Sequence, residues 1–368
     1  MATTRIKIKE SLKQWAFETT DLGEDTLVEI TQRNKWLQQS SKLYLQPTVK
    51  QLGAFATRLH IPFGSLLLDK PPKTEDIRLA FRTQQNVPAE VSLNVRDIIY
   101  EMRRKQSWFK EESGLANQKL SIVGSASKLN NAETLNAVLN LLTLNHFNSP
   151  RDLFNDLRDQ LAHLGILNMQ KGNAGLGTTR PLDVSELRAF VLLDDYAPLI
   201  FINQKDSYTA RIFSLIHEFI HILHGSDELL SDKDTDVTEE RNINKIVSAF
   251  LMPEGKFKNI FKNHDINKTA RYFNTSPEAA AIRAQEIGLI NNINEVAILS
   301  NSGSLKKSSG GNPYNNALTL NDKRYMNALV SAQETGTIQP TQAATLIGIS
   351  YKMLDKTIET FNEREALV

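Results

Sequence analysis

The sequence predicts a mostly helical α+β protein. A core with a small antiparallel or mixed sheet is flanked by helical domains of helix-turn-helix character. Three observations point there. Apolar residues recur at helical spacing along most of the chain. Two short apolar runs surround "DDYAP" within residues 186–203, and their turn-prone flanks mark them as paired strands. The stretch "FSLIHEFIHILHGSDEL" (213–229) reads as a strongly apolar helix, yet it carries three of the chain's seven histidines.

Residues 1–75 read as an N-terminal helix-turn-helix-like domain made of short helices. In "IKESLKQWAFETT", Ile8, Leu12, Trp15 and Ala16 share a face, and "GEDTLVEITQRNKWLQQS" adds one or two helices. In "QPTVKQLGAFATRLHIPFGSLLL", Pro47 and Thr48 open a helix whose apolar face is Val49, Leu52, Phe55, Ala56 and Leu59, and Pro62 breaks it. "DKPPKTED" is a turn-rich boundary. Residues 76–165 form a helical linker or subdomain, with amphipathic segments "NVRDIIYEMRRKQSWFKEES" and "SPRDLFNDLRDQLAHLGI", the second opened by Ser149-Pro150. "MQKGNAGLGTTRPLDV" reads as a Gly-rich connector. Residues 166–300 form the core domain, and 301–316, "NSGSLKKSSGGNPYNN", a flexible linker. Residues 317–368 give three helices split by "TGTIQPT" and "GIS", helix-turn-helix-like with Gly348 in the turn.

The length of 368 residues suits two or three domains, and 40% hydrophobic with 23% charged residues is ordinary for a globular chain. A net charge of +1 gives no global attraction to nucleic acid or membrane. The absence of cysteine excludes disulfides, thiolate metal ligands and a cysteine nucleophile. "MATTRIKIKESLKQW" lacks the apolar core of a secretory signal, and no run of 18 apolar residues occurs. A cytoplasmic protein with no membrane partner is expected, and any metal site must use His, Asp or Glu.

His217, Glu218 and His221 form H-E-x-x-H. Histidines at i and i+4 lie one turn apart on one helix face and can grip one ion. Glu218, offset by one residue, can reach a water at that ion without being a ligand, which is where a general base belongs. Ile212, Leu215, Ile216, Phe219, Ile220, Ile222 and Leu223 surround the motif. Two histidines and a glutamate on so apolar a helix are costly to bury unless paired, and a zinc ion removes that cost.

A catalytic zinc site needs a third protein ligand. In "DVTEERNINKIVSAFLMPEGKF", Ile243, Ile246, Val247, Phe250 and Leu251 define a helical face, and Pro253 ends the helix. Glu240 lies on that inward face, and Asn244, one turn on, is placed to hold a histidine N–H. Glu239, on a neighbouring face, is the alternative. Either glutamate also suits a solvated first turn, where the helix dipole favours a carboxylate. His224 and Asp227 are further candidates, but the longer pattern that would use Asp227 needs a glycine where His224 stands. His224 therefore suits a supporting or helix-end role. His60, His146, His163 and His264 are isolated and structural. The "LIFIN" run, with Ile200, Ile202 and Asn203, reads as an edge strand to which an extended substrate adds.

The motifs resemble those of the ImmA/IrrE family of zinc metallopeptidases. The likeness rests on Asn203 ending a strand, then Arg211, Phe213 and the 217–221 motif, followed by Glu240, Asn244 and Leu251-Met252-Pro253. "LQPTVKQLGAFATRLHIPFGSLLLDKPP", "SGGNPYNN" and "GTIQPTQAATLIGIS" resemble the flanks of long members that carry an N-terminal Xre-type helix-turn-helix. The family often has Ala-Asn in the glutamate helix where this chain has Ile243-Asn244, and "TQRNKWLQQSSKLY" has only Arg33, Lys35 and Lys42 as cations.

The resemblance implies a zincin-like, gluzincin-type core with one zinc on His217, His221 and Glu240, and Glu218 as base. It further implies that the partner is a protein substrate, a transcriptional repressor or antitoxin, in a mobile-element or stress pathway. His224 and Tyr208 are candidates for stabilising the oxyanion. The competing expectation is a DNA-binding regulator or toxin-antitoxin component with a vestigial or sensory site, touching DNA through its N-terminal domain.

Overall fold

The computed structural model describes residues 5–18, 20, 24–38, 44–59, 61, 63–71, 92–114, 119–226, 237–263, 265–298 and 312–366. The chain forms two compact units, one of residues 1–77 with 90–96, the other of the remainder.

In the first unit, β1 (Ile8–Lys9) leads into α1 (Glu10–Glu18), and α2 (Glu24–Arg33) follows. β2 (Tyr44–Leu45) pairs antiparallel with β1, with Ile8 opposite Leu45. The expectation of helices alone over 8–70 is corrected here, because two-residue strands carry no readable period. α3 (Val49–Arg58) starts with a capping box in which Thr48 and Gln51 satisfy each other's backbone N–H. Leu52, Phe55, Ala56 and Leu59 join Trp36 and Leu45 in a small core. Val49, at the first helical position, is 47% exposed and does not share that face. His60 and Pro62 lie outside the described residues.

In the second unit, α4 (Leu93–Glu112, from Asp97 onward), α5 (Asn131–Leu141) and α6 (Pro150–His163) precede the sheet. Asn130 caps α5 through a capping box with Glu133, and Ser149 caps α6 ahead of Pro150. β3 (Leu167–Lys171), β4 (Ala189–Leu192) and β5 (Leu199–Asn203) form a sheet of order β3-β5-β4. β3 runs parallel to β5 (Leu167 opposite Leu199), and β4 runs antiparallel to it (Ala189 opposite Ile202). The strand β3 takes in Met169–Lys171, which the sequence reading left in a connector.

β5 is therefore the central strand, and this corrects the edge-strand reading of Ile200, Ile202 and Asn203. Their backbone is hydrogen-bonded on both sides, and all five β5 residues are buried. A strand apolar on both faces belongs in the middle of a sheet. Asn203 holds the turn after it, donating through Nδ2 to Leu187 O and accepting at Oδ1 from Lys205 N–H.

α7 (Tyr208–His224) packs on β4, β5, α6 and α8 (Val237–Leu251) and lies at the heart of the large apolar core. α9 (Glu254–Ile260), α10 (Ile266–Tyr272) and α11 (Pro277–Glu286) complete the core. α12 (Pro313–Leu320), α13 (Lys323–Glu334), α14 (Pro340–Ile347) and α15 (Leu354–Glu365) follow. Residues 313–316, expected as linker, are thus the first turn of α12, capped by Asn312. Residues 299–311 lie outside the described set.

Neither residue 166 nor residue 317 divides this unit. Asp322 accepts from Asn168 N–H at 3.1 Å, Gln170 donates to Thr319 O at 2.8 Å, and Lys105 donates to Asn321 Oδ1 at 2.7 Å. The tail so binds β3, α4 and the core together. None of the described helices is long and apolar enough to cross a membrane.

Candidate metal centre

α7 sets the first half of the centre. Ser207 caps it by accepting from Ala210 N–H, and Gly225 ends it at φ 70, donating its N–H to the carbonyls of His221 and Ile222. A Cβ on Gly225 would lie 3.1 Å from Gly124 Cα. The close approach lets Gly124 and Ala126 donate to Ile222 O and Leu223 O, so the buried end of the helix is satisfied.

His217 and His221 stand one turn apart on α7, with Nε2 atoms 3.1 Å apart. Glu240, in the first turn of α8, is 6% exposed and brings one oxygen within 3.5 Å of His217 Nε2 and the other within 3.4 Å of His221 Nε2. These three are the one group of metal-ligand type among the described residues whose donor atoms converge, all within 4.8 Å. Glu218 is buried, lies outside the triad and lines the same groove.

Each histidine is held from behind. His217 Nδ1 donates to Asn244 Oδ1 at 3.1 Å, which leaves its Nε2 lone pair facing the centre. His221 Nδ1 meets Ser226 Oγ at 3.0 Å, and with that hydroxyl as acceptor it adopts the same tautomer. Two nitrogen lone pairs and a carboxylate so close together repel one another unless a cation lies between them. Ligands at zinc distances in a tetrahedron stand about 3.3 Å apart. The Nε2–Nε2 distance of 3.1 Å fits that spacing, and each imidazole has a different Glu240 oxygen at 3.4 or 3.5 Å. The residues present therefore suit a metal ion with three protein ligands and an open position.

Of the other candidates, Glu239 is exposed and faces His224, 3.7 Å from its Nδ1. Burial holds the His224 imidazole below its ordinary pKa, with Glu239 partly opposing. Neither residue joins the triad. Asp227 lies outside the described residues. Tyr208 packs edge-on to Phe154 and under the Arg211 guanidinium, and it does not line the groove. His146 stacks on Tyr272, and His163 returns to its own helix at Asp159 O. Ser226 was missed by sequence reasoning. The signal was there, in a glycine that ends the histidine helix with a serine directly after it.

The groove over the centre has a volume of about 820 Å³. α7, α8 and α11, the loop before β4 and the first residue of β4 line it. Because β4 ends the sheet order, its outer edge is unpaired among the described strands.

Residues 176–285, the segment that contains the H-E-x-x-H motif, Glu240 and Asn244, match the family model of the IrrE N-terminal-like domain, Peptidase_M78. Comparison with curated proteins and with solved structures gives no match. The segment that builds the metal centre is thus similar to the IrrE N-terminal-like domain.

Proposed function

We propose that the protein is a zinc-dependent endopeptidase that cuts a regulatory protein of the repressor or antitoxin kind. The convergence of His217, His221 and Glu240 beside Glu218, at the floor of an open groove, carries this reading. His217 Nε2, His221 Nε2 and the Glu240 carboxylate would hold one zinc, with Asn244 and Ser226 fixing the two imidazoles. When bound, zinc polarises a peptide carbonyl and makes water acidic enough to be a nucleophile near neutral pH. Glu218 takes the proton from the attacking water and passes it to the departing amine nitrogen.

An extended substrate would add to the outer edge of β4, since β5 has no free edge. That supports a peptide over a small molecule as the occupant.

Glu218→Gln separates binding from chemistry. The variant is expected to hold zinc as the wild type does and to lose cleavage by about a hundredfold or more, the scale of general base catalysis. Equal cleavage by the variant would remove Glu218 from the mechanism, and failure of both proteins to bind zinc would remove the metal site.

A further inference from the structure

The groove is larger than the metal centre needs, and its walls are uneven in charge. Glu186, Asp206, Glu278 and Glu286 line it, and Arg188 is the one lysine or arginine among the described lining residues. Arg188 meets Asp206 at 3.4 Å, and Arg283, outside the lining, meets Glu286 at 3.3 Å. The acids come from separate elements: the loop before β4, the turn before α7, and α11. The first turn of α11 favours a carboxylate at Glu278 on its own account. The dipole does not explain why the facing walls offer so few cations. A concave surface of one sign concentrates ligands of the other.

One flank is also apolar. α11 turns Glu278, Ala279, Ile282 and Glu286 to the groove, one stripe of a helix. Ile282 is 48% exposed. Single exposed aliphatic residues are ordinary, but Ile282 shares this concavity with Ala279 and with Phe213, which lies one turn before His217. Arg188 and Ala189, at the start of the unpaired β4 edge, border the same space.

We infer that the groove selects an extended protein segment in which a large apolar residue is accompanied by lysine or arginine. Ile282, Ala279 and Phe213 receive the apolar side chain, and Glu278 attracts the cation. The inference deepens the peptidase reading and rests on it for the fate of the segment, though not for its binding.

The test is binding of fluorescent peptides to the full chain, zinc-loaded and carrying Glu218→Gln so that nothing is cut. Peptides of one length contain leucine with arginines, leucine with glutamates, leucine with glutamines, or serine with arginines. The leucine–arginine peptide is expected to bind at least about tenfold more tightly than the leucine–glutamate one, with the gap closing at high salt. Adding Glu278→Lys should shrink that gap, and adding Ile282→Asp should erase the advantage of leucine over serine. Equal affinities, selectivity unchanged in both variants, or no binding of any peptide overturns the inference. Cleavage of the same peptides by the wild type is scored separately. Selective binding without cleavage leaves this inference standing and removes the peptidase reading, and unselective cleavage does the reverse.

Discussion

Asn244 is not one of the three converging metal-ligand residues, yet it decides which nitrogen of His217 carries the proton. Replacing it by alanine leaves the imidazole free to rotate and to switch tautomer. Asn244→Ala is expected to weaken zinc binding by about 10- to 100-fold, with the fold retained. Competitive titration against a zinc-binding dye measures this, and unchanged affinity would mean that the His217–Asn244 contact does not support the metal. Asn244 was legible in the sequence because it follows Glu240 by one turn in a helix whose apolar face is plain. Ser226 is legible only to a reader who sees that Gly225 ends the helix, because it reaches His221 through the left-handed backbone of that glycine.

A second residue-scale feature lies away from the centre. Lys171 donates to Glu101 at 2.6 Å, while Lys105 stands 3.5 Å from the same carboxylate, all three buried. Burial pushes the Glu101 carboxyl up, but Lys105 and Lys171 together hold it below its ordinary 4.5. One carboxylate cannot satisfy two ammonium groups equally, and burial lowers Lys105 from 10.5 to about 8. Between those values the unfolded chain holds a proton that the folded one has lost, so stability rises with pH across that window. The full rise is about 3 kcal/mol as an upper figure. Denaturant unfolding of wild type and Lys105→Met from neutral to alkaline pH measures it. The wild type is expected to gain stability that the variant does not, and parallel curves would refute the assignment.

At the scale of elements, the end of α7 is the most demanding. Gly225 has φ 70, and a Cβ there meets the Gly124 backbone at 3.1 Å. Gly225→Ala is expected to cost about 1–2 kcal/mol from the left-handed conformation alone. Because Gly225 sets Ser226 against His221, zinc affinity should fall with stability. Thermal unfolding with and without zinc checks both, and an unchanged midpoint in each state would contradict this account. Periodicity made α8 readable through its apolar stripe, and the continuous apolar content of α7 marked it as a buried helix. The rank of the strands was not readable in the same way. An edge position for β5 conflicts with "LIFIN", which is apolar at four of its five positions, as two buried faces require. The open edge belongs to β4, and only the pairing pattern reveals it. The α14–α15 pair has a helix-turn-helix outline, but the second helix exposes Asp355, Glu359 and Glu363 against Lys356 and Arg364. That balance is wrong for lying along phosphates. Gly348 in its turn serves packing instead, with its Cβ position 3.3 Å from Glu101 Oε1.

Across the second unit as a whole, the two sides of the sheet have different fates. The outer side of β3 is covered by the tail through Asp322, Thr319 and the sulfur of Met169. The outer edge of β4 is left for the groove. Covering an edge prevents unwanted pairing between chains. Asp322 also caps α13 by accepting from Arg324 and Tyr325 N–H, so Asp322→Ala removes two supports from one buried group. A loss of about 1–3 kcal/mol is expected, with more aggregation on mild heating. Unfolding and light scattering of the purified chain measure it, and wild-type behaviour in both would show that the cover is dispensable. This arrangement was hidden from sequence reading because its bonds join residues more than 140 positions apart, where neither periodicity nor turn chemistry gives a signal.

The claim that joins these scales is that Glu218, beside a zinc held by His217, His221 and Glu240, drives cleavage of a protein. Its most direct measurement is terminal proteomics on cells expressing the wild-type chain or Glu218→Gln at equal levels. At least one new protein terminus is expected with the wild type and absent with Glu218→Gln. Identical sets of termini in the two samples would contradict it.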